Sequence, residues 1–160
     1  MNDLNKPDVL RRSVLGTELT EAEAQVLAGR MGVMTLHDRE TLVSEGETRH
    51  TLVLLAEGRI AVGKSVGPNE ETVYQMRAGE CAGTRAFVDG SQRKAALRSI
   101  GDSTVLTLEP EAFETLLDTH QRIVYKVMRA IFRITHANLM RANVEGTELR
   151  NYMTRSRGRY

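Results

Sequence analysis

Glu45-Gly46-Glu47, followed by Thr51-Leu52-Val53-Leu54-Leu55-Ala56-Glu57-Gly58-Arg59-Ile60-Ala61-Val62, is the first of two glycine-punctuated stretches that decide the fold. The second is Ala78-Gly79-Glu80-Cys81-Ala82-Gly83-Thr84-Arg85-Ala86-Phe87, with Arg93-Lys94-Ala95-Ala96 downstream. Both break short apolar runs with residues that tolerate tight turns. The second also sets an arginine beyond a glycine-rich turn. A guanidinium fork matches phosphate oxygens, and exposed backbone N–H groups in such turns add donors. Arg93 is therefore a candidate anion-holding residue.

Outward from this centre the β-rich runs continue. Thr41-Leu42-Val43, Leu52 to Leu55, Arg59 to Val62, Thr72 to Met76, Ala95 to Ile100 and Ser103 to Leu108 are separated by Gly, Asn, Asp and Pro. Strand-sized runs at this spacing predict a β-sandwich, barrel or jelly roll rather than an α/β sheet. Gly58-Arg59 reads as a tight hairpin corner, and Gly67-Pro68-Asn69 as a longer hairpin loop.

Helical patterns flank the β region. Thr20 as N-cap with Glu23 at N3 spells a capping box, opening a helix to about Met31 that buries Ala24, Leu27 and Ala28. Pro110 suits the first turn of a short helix over Glu111–Leu117. Asp118 and Gln121 offer a second start, and the stripe Val124, Val127, Ile131, Ile134 or Thr135, Asn138 or Leu139 predicts a helix over about 120–145. Some 24 residues at 1.5 Å each span roughly 36 Å. A helix of that length overreaches a small β body, so part of it is expected to be exposed or matched by a second copy. The expected organisation is one domain over 1–145 and a basic, mobile tail over 146–160.

The 160 residues suffice for one domain with a sizeable core. A net charge of +1 conceals an asymmetry: Gln121 to Tyr160 holds nine Lys/Arg against two Glu. Such a segment can meet nucleic acid, an acidic partner or anionic lipid, or can simply solvate the outer face of a helix. The lone cysteine, Cys81, excludes an intrachain disulfide and suits a reducing, cytoplasmic setting. No secretory leader and no apolar run of membrane-spanning length is visible. His37, His50, His120 and His136 lack the close grouping a metal site needs, and no nucleophilic triad or Walker-type loop appears. Neither a metal nor enzymatic activity is expected.

With those residues in order, the chain resembles the cyclic nucleotide-binding domain family, which includes catabolite-activator-type regulators and regulatory subunits of cyclic-nucleotide-dependent kinases. The resemblance covers roughly 15–143. It rests on the helix before the β region, the Glu45-Gly46 turn, the Leu54-to-Val62 hairpin, the Gly79-to-Phe87 segment, Arg93 and the helix pair from Glu111. It implies a mainly β fold with flanking helices, a β-jelly roll (double-stranded β-helix) with an N-terminal helix and a long C-terminal one. It further implies that Gly83, Thr84, Arg85 and Ala86 form a short helix facing a cyclic phosphate and ribose. Arg93 would then neutralise the phosphate while the backbone N–H groups of Lys94 and Ala95 add donors. Thr135 and His136 fall where dimeric relatives present polar side chains to the base, and His136 is a candidate sensor of ligand or pH. A homodimer through the long helix, passing a signal to an effector protein, follows from the same likeness. The stripe Ile131, Thr135, Asn138 and Ala142 fits either that helix pairing or packing on the β body.

The departures from the family are specific. Thr84 stands where a glutamate usually accepts a bond from the ribose 2′-hydroxyl, and a lost charge-assisted bond weakens binding by about 1.5–3 kcal/mol. Ala82 replaces a common aromatic, Gln92 a common proline, and Arg85 adds a cation free to pair with Glu80 or Asp89. The implied ligand is a phosphate-bearing cyclic nucleotide such as cAMP or cGMP, with no other cofactor. The alternative is a ligand-free scaffold that kept the fold. The chain shows no helix-turn-helix pattern after the long helix, so sequence-specific DNA binding is not expected, although Arg150, Arg155, Arg157 and Arg159 would suit non-specific nucleic-acid contact.

Overall fold

The computed structural model describes residues 4–157, with side chains for residues 4–143. The chain begins with two short helices, α1 (Lys6–Arg12) and α2 (Glu21–Ala28). The first was not foreseen; Asn5 caps it by accepting from the Asp8 N–H, and Pro7 lies in its first turn. The second carries the expected capping box, with Thr20 Oγ1 accepting from Glu23 N and Glu23 Oε1 accepting from Thr20 N. It ends at Ala28, shorter than the reading to Met31.

Six antiparallel strands follow: β1 (Gly32–Leu36), β2 (Thr41–Val43), β3 (Leu52–Val66), β4 (Asn69–Met76), β5 (Cys81–Ala82) and β6 (Ala96–Leu108). The main order is β1-β6-β3-β4, with β2 also on β6 and β5 also on β3. This is the expected jelly roll, mainly antiparallel β with flanking helices. Strand periodicity explains how β3 serves two cores at once. Leu52 and Leu54 point to the helices, joining Leu10, Leu27, Leu106, Phe113, Ile123 and Val127. Val53 and Leu55 point into the roll, with Leu36, Ile60, Met76, Leu97 and Val105. All four are essentially buried, which is why the run Leu52–Leu55 is apolar throughout rather than alternating.

The hairpin expected at Gly58-Arg59 is a β-bulge instead. β3 passes straight through Gly58, and its register against β6 shifts on both sides of Glu57. Gly58 has φ +96°, and a Cβ there would sit 2.6 Å from the Asp102 carbonyl oxygen and 2.7 Å from Ser103 Oγ. Positive φ is thus used to bend a long strand onto its neighbour. The two runs Ala95–Ile100 and Ser103–Leu108 likewise join as β6. The Gly67-Pro68-Asn69 loop does close a hairpin, pairing Val66 with Asn69.

Two helices complete the fold: α4 (Pro110–Glu114), with Pro110 in its first turn, and α5 (Gln121–Arg157). The backbone of α5 continues past the expected end near 145. One glycine inside a helix costs about 1 kcal/mol, which good helix formers such as Glu145, Glu148, Leu149 and Arg150 on either side outweigh. The predicted tail over 146–160 and its arginine side chains lie outside the residues whose side chains are described. The first half of α5 is fastened to the body. Ile123, Val127, Ala130 and Ile131 are buried, Lys126 Nζ donates to Glu23 Oε1 at 2.5 Å, and Arg129 Nε lies 3.2 Å from Glu18 Oε2. The Lys126 bond, with the Thr20 N–H, holds the Glu23 carboxyl below its ordinary range. Ile131 therefore belongs to the face that packs on the β body.

Candidate functional site

A cavity of ≈ 650 Å³ opens between the jelly roll, α3 (Thr84–Asp89) and α5. Gly83, at φ +82°, turns the chain from β5 into α3. A Cβ on Gly83 would fall 2.0 Å from Arg93 Nη1 and 2.9 Å from the Thr51 carbonyl oxygen. Only glycine lets the guanidinium lie against this turn.

Arg93 is held from behind by the other glycine turn. Its N–H donates to the Glu47 carbonyl at 3.0 Å, and its carbonyl accepts from Gly46 N at 2.8 Å. Gly46, at φ +82°, shapes that turn. The two stretches that decide the fold thus meet at one residue. The Arg93 side chain is only 5 % exposed. Its Nη2 donates to the Thr51 carbonyl. Its Nε and Nη1 have no hydrogen-bond partner among the described residues and are covered from solvent. Burial pulls its pKa below the usual guanidinium value, an effect partly opposed by the nearby Glu47 carboxylate. Glu47 itself is satisfied by Arg49 and by the Ser44 N–H, so it is not a dedicated counter-ion.

Of the residues singled out from sequence, Gly83, Thr84, Arg85, Ala86, Arg93, Lys94 and Ala95 all line the cavity. Thr84 is buried, and its Oγ1 accepts from Thr135 Oγ1 on α5 at 3.1 Å. Thr135 therefore reaches the site through α3. Arg85 lies at the rim, mostly exposed, and pairs with Asp89 at 3.5 Å along its own helix. It does not fill the cavity. His136 is exposed, stacks on Phe132 with ring centroids 6.1 Å apart, and is not among the lining residues. α5 presents instead Ile134, Ala137, Asn138, Arg141 and Ala142. Their spacing, i, i+3, i+4, i+7 and i+8, is one helical face; that periodicity, counted from Ile134, was the signal available in the sequence.

Across the cavity, Arg141 lies 3.9 Å over the Tyr74 ring. Tyr74 Oη donates to Glu80 Oε1 at 2.5 Å, and Glu80 Oε2 accepts from Arg77 N at 2.9 Å. The bond to Glu80 raises the Tyr74 pKa, with burial adding to it. Cys81, beneath, is buried and its thiol is pushed up to about 12, chiefly by desolvation, so it is no nucleophile at neutral pH. Among the described residues no group of three His, Cys, Asp or Glu is placed to hold a metal ion, and no helix is long and apolar enough to cross a membrane.

A jelly roll with a glycine turn, a buried arginine and a long helix closing one cavity defines the class to which the chain belongs. Residues 33–120 match the model of the cyclic nucleotide-binding domain family, more than half of the chain. The chain is a member of that family. No curated protein matches it. Among solved structures, a cyclic nucleotide-binding domain from Methylobacillus flagellatus superposes with TM-score 0.78 at 19% identity, over 88% of this chain and 79% of that one. The catabolite activator protein of Thermus thermophilus gives TM-score 0.76 at 21% identity, over 86% and 63%. The regulatory domain of Toxoplasma gondii PKA, crystallised with cAMP, gives 0.64 at 23%, over 76% and 47%. At these identities the likeness concerns the fold.

Proposed function

We propose that this chain is a regulatory module that holds a phosphate-bearing cyclic nucleotide at Arg93 and signals through α5. One observation carries the reading: a nearly buried guanidinium keeps two donors unmet beside a glycine that leaves room for it. An unsatisfied buried charged group costs free energy. A phosphate at the Gly83 turn satisfies both donors and balances the charge. The module is non-enzymatic in this reading, since its site offers donors and an apolar wall but no activated nucleophile.

Because Nε and Nη1 are covered in this state, ligand entry must uncover them. The Thr84–Thr135 hydrogen bond ties the glycine turn to α5, so opening the site displaces the helix. α5 also leaves Tyr125, Met128, Phe132 and Leu139 exposed at 63%, 37%, 71% and 57%. Their spacings of three, four and seven residues are those of a helix-pairing seam, which supports a homodimer that relays the shift to an effector protein. This face lies beside, not along, the stripe beginning at Ile131.

A second reading has one observation in its favour: with the donors covered and Thr84 tied to Thr135, the same contacts could lock a ligand-free scaffold. Calorimetric titration of cyclic mono- and dinucleotides against the wild type and Arg93→Ala separates the two. Binding lost in the variant supports a receptor. Binding of none, or binding indifferent to Arg93, supports the scaffold.

A further inference from the structure

Charge around the cavity is one-sided. Lys64 on β3, Arg85 on α3, Arg93 and Lys94 on the loop before β6, and Arg141 on α5 all line it, against a single carboxylate, Glu80. Both Glu80 oxygens accept hydrogen bonds, from Tyr74 Oη and Arg77 N. Among the described residues only Arg85 of the five cations has an ion-pair partner, Asp89. Arg141 is held by the Tyr74 ring face and, weakly, by Asn138 Oδ1 at 3.5 Å, neither of which cancels its charge.

A cyclic mononucleotide carries one negative charge, and Arg93 alone matches it. Lys64, Lys94 and Arg141, all exposed at the edge of the cavity, would then be left with Glu80 as the one lining carboxylate to set against them. The sugar finds little in return. No carboxylate stands at Thr84, and the Thr84 hydroxyl already accepts from Thr135. At ≈ 650 Å³ the cavity lies well inside the range of about 300–1,000 Å³ that holds drug-sized ligands.

We propose that the ligand of this site is a nucleotide bearing a second phosphate, which sits between Lys64 and Lys94 on the β body and Arg141 on α5. The proposal rests on the reading that Arg93 holds the first phosphate. Its chemistry is shared by a cyclic dinucleotide and by a linear nucleoside bisphosphate. The second phosphate would bridge the roll to α5, so the extra charge also draws the helix toward the sheet.

Equilibrium binding is measured on the full chain with cyclic AMP, cyclic GMP, cyclic di-GMP, cyclic di-AMP and guanosine 3′,5′-bisphosphate, at low and at physiological salt. A doubly phosphorylated ligand is expected to bind at least about tenfold tighter than either mononucleotide, with the preference shrinking as salt screens the outer cations. Arg141→Gln and Lys64→Gln should each lower affinity for that ligand by about tenfold and narrow its preference over the mononucleotides. Preference for the cyclic or the linear compound identifies the source of the second phosphate. Mononucleotide binding that depends on Arg93, without preference for the second charge, overturns this proposal and leaves the receptor reading standing. Binding of none of the five overturns both.

Discussion

Replacing Arg93 by methionine separates a binding arginine from a structural one. In the ligand-free state the wild type leaves two guanidinium nitrogens buried and unmet, each worth a penalty of about 1–3 kcal/mol. Against this the side chain makes one charge-assisted bond, to the Thr51 carbonyl, worth about 1.5–3 kcal/mol. Glu47 loses a neighbouring charge but keeps Arg49 and the Ser44 N–H, so no carboxylate is stranded. Methionine fills similar space with a flexible apolar chain. On these figures the variant falls between about 1 kcal/mol less and about 4 kcal/mol more stable, with stabilisation the central expectation, while nucleotide binding disappears. Urea unfolding without ligand reads the first effect, and for a chain of this size each kcal/mol raises Tm by roughly 2–4 °C. A variant destabilised by more than about 1 kcal/mol would show that the arginine fastens the fold, and the anion argument would fail.

Other expectations follow from particular contacts. Thr20→Ala removes the α2 capping box and should cost about 1 kcal/mol by denaturant unfolding; an unchanged midpoint would mean packing alone sets the start of α2. Glu23 is held below the ordinary value of 4.5 by Lys126 and Thr20, so the unfolded chain binds more protons as pH falls from 4.5 to the folded pKa, and stability drops over that window. In Glu23→Gln the drop should be smaller, read as urea midpoints at neutral and acid pH. Phe132→Glu alters a side chain 71% exposed; it should leave the chain folded and convert a dimer to a monomer by sedimentation, whereas a monomeric wild type would remove the pairing seam. Cys81, with its thiol raised to about 12, should resist a thiol reagent at about pH 8 until denaturant is added; prompt native reaction would contradict its burial.

What could be read from the chain follows the range of the forces involved. The capping box at Thr20 and Glu23 is a four-residue event, and it formed as spelled. The fold class was legible because strand-sized runs recur between turn residues. The relation of Gly83 to Arg93 was legible only through resemblance, since nothing local says that the guanidinium lies against that glycine. Gly58 shows the limit. The residues around it suit a hairpin and a bulge equally, and the choice was made by β6, some forty residues away. α1 is not legible because seven residues hold too little periodicity to set a helix apart.

Which residues α5 turns to the cavity is a matter of azimuth. Each residue advances about 100° around a helix, so His136 and Ala137, adjacent in sequence, face different ways. The resemblance points to Thr135 and His136; in this chain Thr135 reaches the site through Thr84, His136 stacks on Phe132, and Ala137, Asn138 and Arg141 line the cavity. In the sequence Arg141 reads only as part of a basic segment. Its place over Tyr74 gives that charge a specific position.

The central claim is that a phosphate meets the Arg93 guanidinium at the Gly83 turn. A crystal of the protein grown with a phosphorothioate analogue of whichever nucleotide binds in titration tests it directly, because sulfur gives an anomalous signal at the phosphate. The predicted result is a peak in contact with Arg93 Nε and Nη1, lined by Gly83 and the Lys94–Ala95 backbone. A peak elsewhere on the molecule, or a bound nucleotide whose phosphate turns away from Arg93, would contradict the account.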